Sequence, residues 1–302
     1  MFDTVIIGAG IAGMSAAIYA ARKRMNYAIV SENVGGQLFL SGEIANYPGI
    51  KKTTGYELYE KLLEQMRYNN VEIKEEKVLE IKKKDSHFIV VTDKGSYETL
   101  TVIAATGARP RRLNIPGEEK YAKKGVTYCS ICDGPIFGGF DVAIIGGGNA
   151  ALEAVSFMDK IAGKIYILTN ESKFRAQECL TEGVKSNPKI TAIFDAQVTE
   201  IVGDKFVTGL KYNQNGSEKE LDVKGVIIEA GRIPNTELFK GLLDLDEDGH
   251  IEINCRTETN IPGIYAAGDC TDGHEYQYVI AAGQGCMALI KTARYLSGLK
   301  GE

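Results

Sequence analysis

Two stretches of the chain carry the same pattern of apolar and small residues. In the first, the run Thr4-Val5-Ile6-Ile7 meets Gly8-Ala9-Gly10 and then Ile11-Ala12-Gly13-Met14. In the second, Val142-Ala143-Ile144-Ile145 meets Gly146-Gly147-Gly148 and then Asn149-Ala150-Ala151-Leu152. A short, continuously apolar run followed by a Gly-rich turn and a small-residue helix opens a βαβ unit whose parallel strand is buried on both faces. The duplication predicts an α/β protein with two nucleotide-binding domains. Between the repeats, Leu58, Leu62 and Met66 fall on one face of an amphipathic helix over 55–70, and 71–100 alternates as antiparallel strands do. After the second repeat, Ile264-Tyr265-Ala266-Ala267-Gly268-Asp269 reads as a strand ending in a Gly-Asp turn, and a helix follows over 281–298. These late signals belong with the first repeat. The expected organisation is therefore a discontinuous first domain, 1–111 and 239–302, with a second domain, 112–238, inserted in it. Pro110, Pro116 and Pro234 lie near the crossings.

Composition narrows the function. The chain has 302 residues, with 34 Gly against 7 Pro and a net charge of −5. Glycine in excess without proline fits tight turns and phosphate cradles. A net negative charge argues against nucleic acid, which is bound mainly through Lys and Arg on phosphates. No apolar run approaches the ~18 residues a membrane-spanning helix needs, and the N-terminus lacks the pattern of a secretory signal. A cytoplasmic protein is expected, with no membrane partner.

The glycines carry specific chemistry. Gly8, Gly10 and Gly13 form GxGxxG between a strand and a helix: one glycine for the tight turn, one for backbone approach to a pyrophosphate, one for helix–strand packing. The positive end of the helix then faces the phosphates. An acid ~20 residues further on is expected to hold a ribose hydroxyl, and Glu32 stands there. Gly146, Gly148 and Ala151 give GxGxxA, an accepted variant, and Glu171 is its corresponding acid. Both domains are thus Rossmann-like, with three layers (ββα).

Six cysteines in a chain of this class do not form a disulfide scaffold. Cys129-Ser130-Ile131-Cys132-Asp133 places two thiols at i and i+3, on one face of a helix start, close enough to bond. A helix N-terminus also favours the thiolate, the attacking species. A zinc site would need a second ligand pair. Cys179, Cys255, Cys270 and Cys286 are scattered singly and the histidines are His87, His250 and His274, so no metal is expected.

Gly35-Gly36-Gln37-Leu38, Asn46-Tyr47-Pro48-Gly49, Ala105-Thr106-Gly107-Ala108 and Ala267-Gly268-Asp269 follow one another along the chain. Together with the Cys-x-x-Cys-Asp just ahead of the second glycine loop, they resemble the low-molecular-weight thioredoxin reductases and the flavoprotein component of alkyl hydroperoxide reductase. The resemblance runs end to end. It implies FAD in the first domain, at Gly8, Gly10, Ala12, Gly13, Glu32, Gly36, Gln37, Leu38, Asn46, Val78, Thr106, Gly107, Gly268, Asp269, Gln277 and Tyr278. It implies a nicotinamide nucleotide in the second, at Gly146, Gly148, Asn149, Ala150, Glu171, Arg175 and Arg232. It gives Cys132 as the sulfur nearest the flavin, Cys129 as the interchange thiol and Asp133 as the general acid–base. A thioredoxin-like acceptor and a homodimer are implied as well. A peroxiredoxin system, a ferredoxin or deazaflavin donor, and a flavin redox sensor without turnover remain as rival readings.

The chain departs from the family pattern in two places. Where NADPH-using members carry His-Arg-Arg, it has Thr169-Asn170-Glu171, and Arg175 matches a third family arginine. An acid at that position bonds the diol of NADH and repels a 2′-phosphate, so NADH is expected over NADPH. Where members carry His-x-Tyr-Arg/Lys-Gln against the flavin ring, this chain has His274-Glu275-Tyr276-Gln277-Tyr278, which replaces a cation by an amide.

Overall fold

A computed structural model describes residues 1–41 and 43–299. They fall into two compact units, Met1–Arg109 with Ile233–Glu302, and Pro110–Arg232. The second crossing thus comes ahead of Phe239. That side chain is fully buried in the first unit's core beside Val5, Ile7 and Leu243, which is the packing reason its segment belongs there.

In the first unit, β1 (Phe2–Ala9) leads into α1 (Ile11–Arg22) and β2 (Tyr27–Val34). There follow α2 (Gly55–Tyr68), β3 (Ile73–Glu75), β4 (Val78–Lys83), β5 (Phe88–Thr92) and β6 (Ser96–Ala104). In the second unit come β7 (Val126–Thr127), α3 (Ser130–Asp133), β8 (Val142–Ile145), α4 (Asn149–Met158), β9 (Ile165–Leu168), α5 (Glu178–Ser186) and β10 (Ile190–Ile193). Strands β11 (Ala196–Gly203), β12 (Val207–Gln214), β13 (Ser217–Asp222) and β14 (Gly225–Ile228) complete it. The chain then returns to the first unit for β15 (Ile264–Ala266) and α6 (Tyr278–Leu299).

The first unit's sheet runs β3-β2-β1-β6-β5-β4, with β15 also pairing β6. The β3-β2-β1-β6-β15 part is parallel, and β5 and β4 continue it antiparallel. The antiparallel reading of 71–100 therefore needs one correction. Its first strand, β3, joins the parallel edge beside β2, because the turn after α2 returns the chain alongside β2. Alternation along β1 explains the two cores. Ile6 faces α1, α2 and α6, with Ile29, Leu58, Met66 and Leu289. Val5 and Ile7 face Val78, Phe88, Val90, Phe239 and Ile251. Each such side chain, fully buried, stabilises by about 1.5–3 kcal/mol.

Helix α2 starts with a capping box: Thr54 Oγ1 accepts from Glu57 N–H (3.2 Å) and the Glu57 carboxylate accepts from Thr54 N–H (2.9 Å). Helix α6 lies on α1 at backbone distance. Ser15 Oγ donates to Ala282 O at 2.8 Å, and a Cβ on Gly285 would stand 2.1 Å from Ala12 O.

The second unit has a parallel sheet, β7-β14-β8-β9-β10, and an antiparallel sheet, β11-β12-β13. Ile144 and Ile167 pack on α4 through Leu152, Val155 and Met158. Ala143, Ile145 and Val226 pack on Val198, Val207 and Leu210 of the antiparallel sheet. This is the same helix–sheet–strand layering as in the first unit. Among the described residues no helix is long and apolar enough to cross a membrane.

Gly283 and Gly285 both sit in the first half of α6, and only Gly285 is pressed against backbone. Gly285→Ala should destabilise by about 1–3 kcal/mol through overpacking. Gly283→Ala, with open space around its Cβ, should gain up to about 1 kcal/mol of helix propensity. Thermal melts of the two variants should move in opposite directions.

Candidate active site

A cavity of about 1050 Å³ opens in the first unit between the carboxyl ends of the parallel strands, the place where open α/β sheets bind ligands. Its floor is the β1–α1 turn. Gly8 has φ +105° and a Cβ there would lie 2.3 Å from Ala105 O; a Cβ on Gly13 would lie 1.8 Å from Gly8 O; one on Gly10 would meet nothing within 4 Å. The first two fix how tightly the helix start packs on the strands, and Gly10 leaves the approach open. No side chain caps α1, so its end is available to an anion.

Gly8, Gly10, Ala12, Glu32, Gly36, Gln37, Val78, Thr106, Gly107, Gly268, Asp269 and Tyr278 all line this cavity. Four of the expected residues do not. Gly13 packs beneath the turn. The Leu38 side chain is fully buried in the core. Asn46 and Gln277 bond to each other at 3.1 Å outside the lining. Glu32 is exposed and pairs with Lys77 at 3.4 Å. Sequence reasoning missed Lys77, Arg109, Asn235 and Glu237, which also line the cavity. Arg109 donates to Asn235 Oδ1 (2.7 Å) and to Glu237 (2.6 Å), and Asn235 Nδ2 donates to Thr106 O (2.9 Å). This network fastens the Ala105-Thr106-Gly107 turn. Its signal in the sequence was the pair of crossings, where both strands of a connecting ribbon, Ala108–Pro110 and Arg232–Pro234, meet.

In the second unit the β8–α4 turn repeats the construction. Gly146 has φ +146° and a Cβ there would lie 2.2 Å from Glu229 O. Gly148 is open and leaves α4 without a side-chain cap, while Ala151 is fully buried. Asn149 Oδ1 is committed to Gln177 N–H (2.8 Å), and Ala150 is exposed beside it. Arg175 N–H donates to Gly147 O (2.8 Å), which seats the arginine next to the glycine loop. Its guanidinium pairs with Glu171 at 2.7 Å. Arg232 and Glu153 flank Glu229, a residue the sequence reading missed. Burial pushes the Glu229 carboxyl up to about 7, Glu153 adding to the rise and Arg232 opposing it.

Cys129 and Cys132 form a disulfide at the head of α3, with Cα atoms 5.4 Å apart. Cys129 is the N-cap residue, and Cys132 N–H points at its sulfur at 3.1 Å. After reduction that N–H favours a thiolate on Cys129. Thr127, buried on β7, ties the site together. Its hydroxyl accepts from Cys129 N–H (3.1 Å) and bonds the Asp133 carboxylate (2.5 Å). Cys129 is buried and Cys132 exposed, the reverse of what an interchange role for Cys129 requires at the moment of exchange.

The family model for pyridine nucleotide-disulphide oxidoreductases matches residues 2–292. The chain belongs to this family. It is an oxidoreductase whose family uses FAD and a nicotinamide nucleotide, and the first cavity, with its uncapped helix start and open Gly10, fits a dinucleotide. A thioredoxin reductase from Lactococcus lactis is 34% identical over 99% of this chain and 100% of its own, with a TM-score of 0.93. An NADH dehydrogenase of Bacillus subtilis is 37% identical over 98% of this chain and 58% of its own. The alkyl hydroperoxide reductase F protein of Staphylococcus aureus is 38% identical over 98% of this chain and 59% of its own. The chain thus spans less than two thirds of the length of these last two relatives.

Glu229 makes the stability of this oxidoreductase depend on pH. Its folded value lies above the ordinary 4.5, so the native state holds a proton that the unfolded chain releases. The stabilisation is complete below about pH 4.5 and is lost as pH rises through 7. Glu229→Gln should flatten that fall, which amounts to on the order of 3 kcal/mol, in denaturation midpoints measured between pH 4.5 and 8.

Proposed function

We propose that the chain is an FAD-dependent disulfide reductase, NADH-preferring, that passes two electrons through Cys129–Cys132 to a disulfide in a thioredoxin-like protein. The observation that carries this is the disulfide at the head of α3, backed by Asp133 and Thr127, in the same unit as the GxGxxA loop. The reading makes the discontinuous unit the FAD domain, the inserted unit the nicotinamide domain and the working protein a homodimer. FAD, when bound in the first cavity, supplies the acceptor for a hydride and the donor of two electrons to the disulfide. Gly8, Gly10 and the start of α1 hold its pyrophosphate, and Glu32 holds its ribose.

On this reading the sulfur chemistry runs as a thiol–disulfide exchange. The Cys129 thiolate attacks one sulfur of the substrate disulfide, and the other sulfur leaves and takes a proton from Asp133. The Cys132 thiolate then attacks Cys129 in the mixed disulfide. The Cys129–Cys132 bond re-forms, the second substrate sulfur leaves as a thiolate and takes a proton from solvent, and the substrate departs as a dithiol. One NADH and one proton are consumed for each disulfide reduced. Cys129 has to be uncovered for the first attack. A peroxiredoxin-system acceptor is the second reading, favoured by the likeness to the alkyl hydroperoxide reductase F protein.

Two measurements test the proposal. In a Cys132→Ser variant reduced chemically, the mixed disulfide with a thioredoxin-like protein should accumulate through Cys129, and Cys129→Ser should trap none. Trapping only with a peroxiredoxin-system protein would move the acceptor to the second reading, and trapping with neither would refute the disulfide reductase. For the donor, Glu171 repels a 2′-phosphate and also holds the one arginine of the loop. NADH should exceed NADPH in kcat/KM by roughly tenfold to a hundredfold, the equivalent of about 1–3 kcal/mol. Replacing Asn170 and Glu171 by Arg should reverse the preference, whereas NADPH ahead tenfold in the unaltered chain would refute the assignment of Glu171.

A further inference from the structure

The turn over 246–250 closes on itself in the first unit. Gly249, with φ +87°, donates its N–H to Asp246 O at 3.0 Å, and Asp246 N–H donates to His250 O at 2.9 Å. The segment beside it is held by Ile251 N–H to Cys270 O (2.8 Å) and Asp272 N–H to Ile251 O (3.1 Å). These bonds deliver His274, itself at φ +52°, onto the turn. Asp246, His250 and His274 each then offer an atom within 4.8 Å of the other two.

The polar atoms are left in a specific state. Asp246 Oδ1 accepts from Asp248 N–H (2.9 Å) and His250 N–H (2.8 Å), which leaves Oδ2 as the oxygen to spare. Oδ2 is buried with no hydrogen-bond partner, although His274 Nε2 stands 2.9 Å away. His250 is 3% exposed, and its Nε2 bonds the Tyr276 hydroxyl at 2.8 Å. Its Nδ1 is buried, lacks a partner and faces the Asp246 carboxylate at 3.5 Å. The Nε2–Tyr276 bond can run either way with the tautomer; when Nε2 is the donor, Nδ1 is a bare acceptor aimed at an anionic acceptor. Such a pair calls for a positive species between them, and a ring N–H tied to an outer partner is the usual arrangement of a metal-ligating histidine.

We propose that Asp246, His250 and His274 bind a divalent transition-metal ion of the zinc class. Two imidazoles and one carboxylate suit zinc, cobalt or nickel better than magnesium or calcium, which take oxygen. Ligand atoms ~2.0–2.1 Å from a tetrahedral ion stand roughly 3.4 Å apart; here His274 Nε2 and Asp246 Oδ2 are 2.9 Å apart and the three ligand atoms all lie within 4.8 Å of one another. The exposed side of His274 leaves a fourth position to water. The ion joins the 246–250 turn to the segment that continues through Tyr276 and Gln277 into Tyr278. Tyr278 lines the nucleotide cavity and donates to Gln37 O at 2.9 Å. The site therefore braces one wall of that cavity and takes no part in the sulfur chemistry.

The test uses the full chain with its cysteine pair oxidised, stripped by chelator and titrated with Zn²⁺ by calorimetry and Co²⁺ by absorption. One ion per chain is expected, with a cobalt spectrum of nitrogen and oxygen ligation and no sulfur-to-metal band. His274→Asn, which tolerates the left-handed backbone, and Asp246→Asn, which keeps the turn's acceptor, should each weaken binding by at least about 10–100-fold, and Tyr276→Phe by about tenfold. Near-UV circular dichroism checks that the variants are folded. Absence of saturable binding, unchanged affinity in both ligand variants, or a thiolate–cobalt band would each overturn the site.

Discussion

The structure rests on backbone lying directly on backbone where a strand turns into a helix. A single added carbon on Gly13 would fall 1.8 Å from Gly8 O, and on Gly8 2.3 Å from Ala105 O. That closeness lets the first turn of α1 sit over the ends of β1 and β6, with its N–H groups facing the cavity. The second unit obeys the same constraint with one relaxation. Gly146 presses on Glu229 O at 2.2 Å, yet the third position of the fingerprint accepts Ala151, whose Cβ would stand 3.1 Å from a Cβ on Gly146. Since Gly146 has no Cβ, the methyl of Ala151 occupies the space.

Around these two turns the chain separates its tasks. The first unit carries the large cavity, and the Arg109–Asn235–Glu237 network lines part of its rim. The second gathers a glycine loop, a half-buried carboxyl and the disulfide at the head of α3 around one parallel sheet. Thr127 and the Gly146 loop sit on β7 and β8, strands separated in the sheet only by β14. Asp133 and Cys129 are held through a single hydroxyl, that of Thr127, which keeps the two residues in a fixed relation to each other.

Features with a short-range cause were legible in the sequence. The glycine fingerprints, the amphipathic α2 and the Cys-x-x-Cys at a helix start all follow from local periodicity or spacing, and the structure has each of them. Legibility failed where residues distant in sequence converge. Leu38 lies within a motif but its side chain is fully buried in the core, where it packs away from the cavity lining. Arg109, Asn235 and Glu237 are brought together only by the double crossing between units. Asp246, His250 and His274 show no ligand spacing along the chain, because the third member arrives through the Ile251–Cys270 pairing. Glu229 gave no signal either: an acid after an apolar strand is ordinarily solvated, and here its backbone carbonyl lies against Gly146 of the glycine loop.

The central claim is that electrons from a nicotinamide nucleotide end on Cys129 and Cys132. It is tested most directly by loading the oxidised chain with FAD, adding one equivalent of NADH without oxygen, and counting alkylated cysteines by mass spectrometry. The account predicts two new thiols per chain, both within the peptide carrying Cys129 and Cys132, while Cys179, Cys255, Cys270 and Cys286 are unchanged from the untreated sample. Consumption of NADH with the Cys129–Cys132 bond left intact would contradict it.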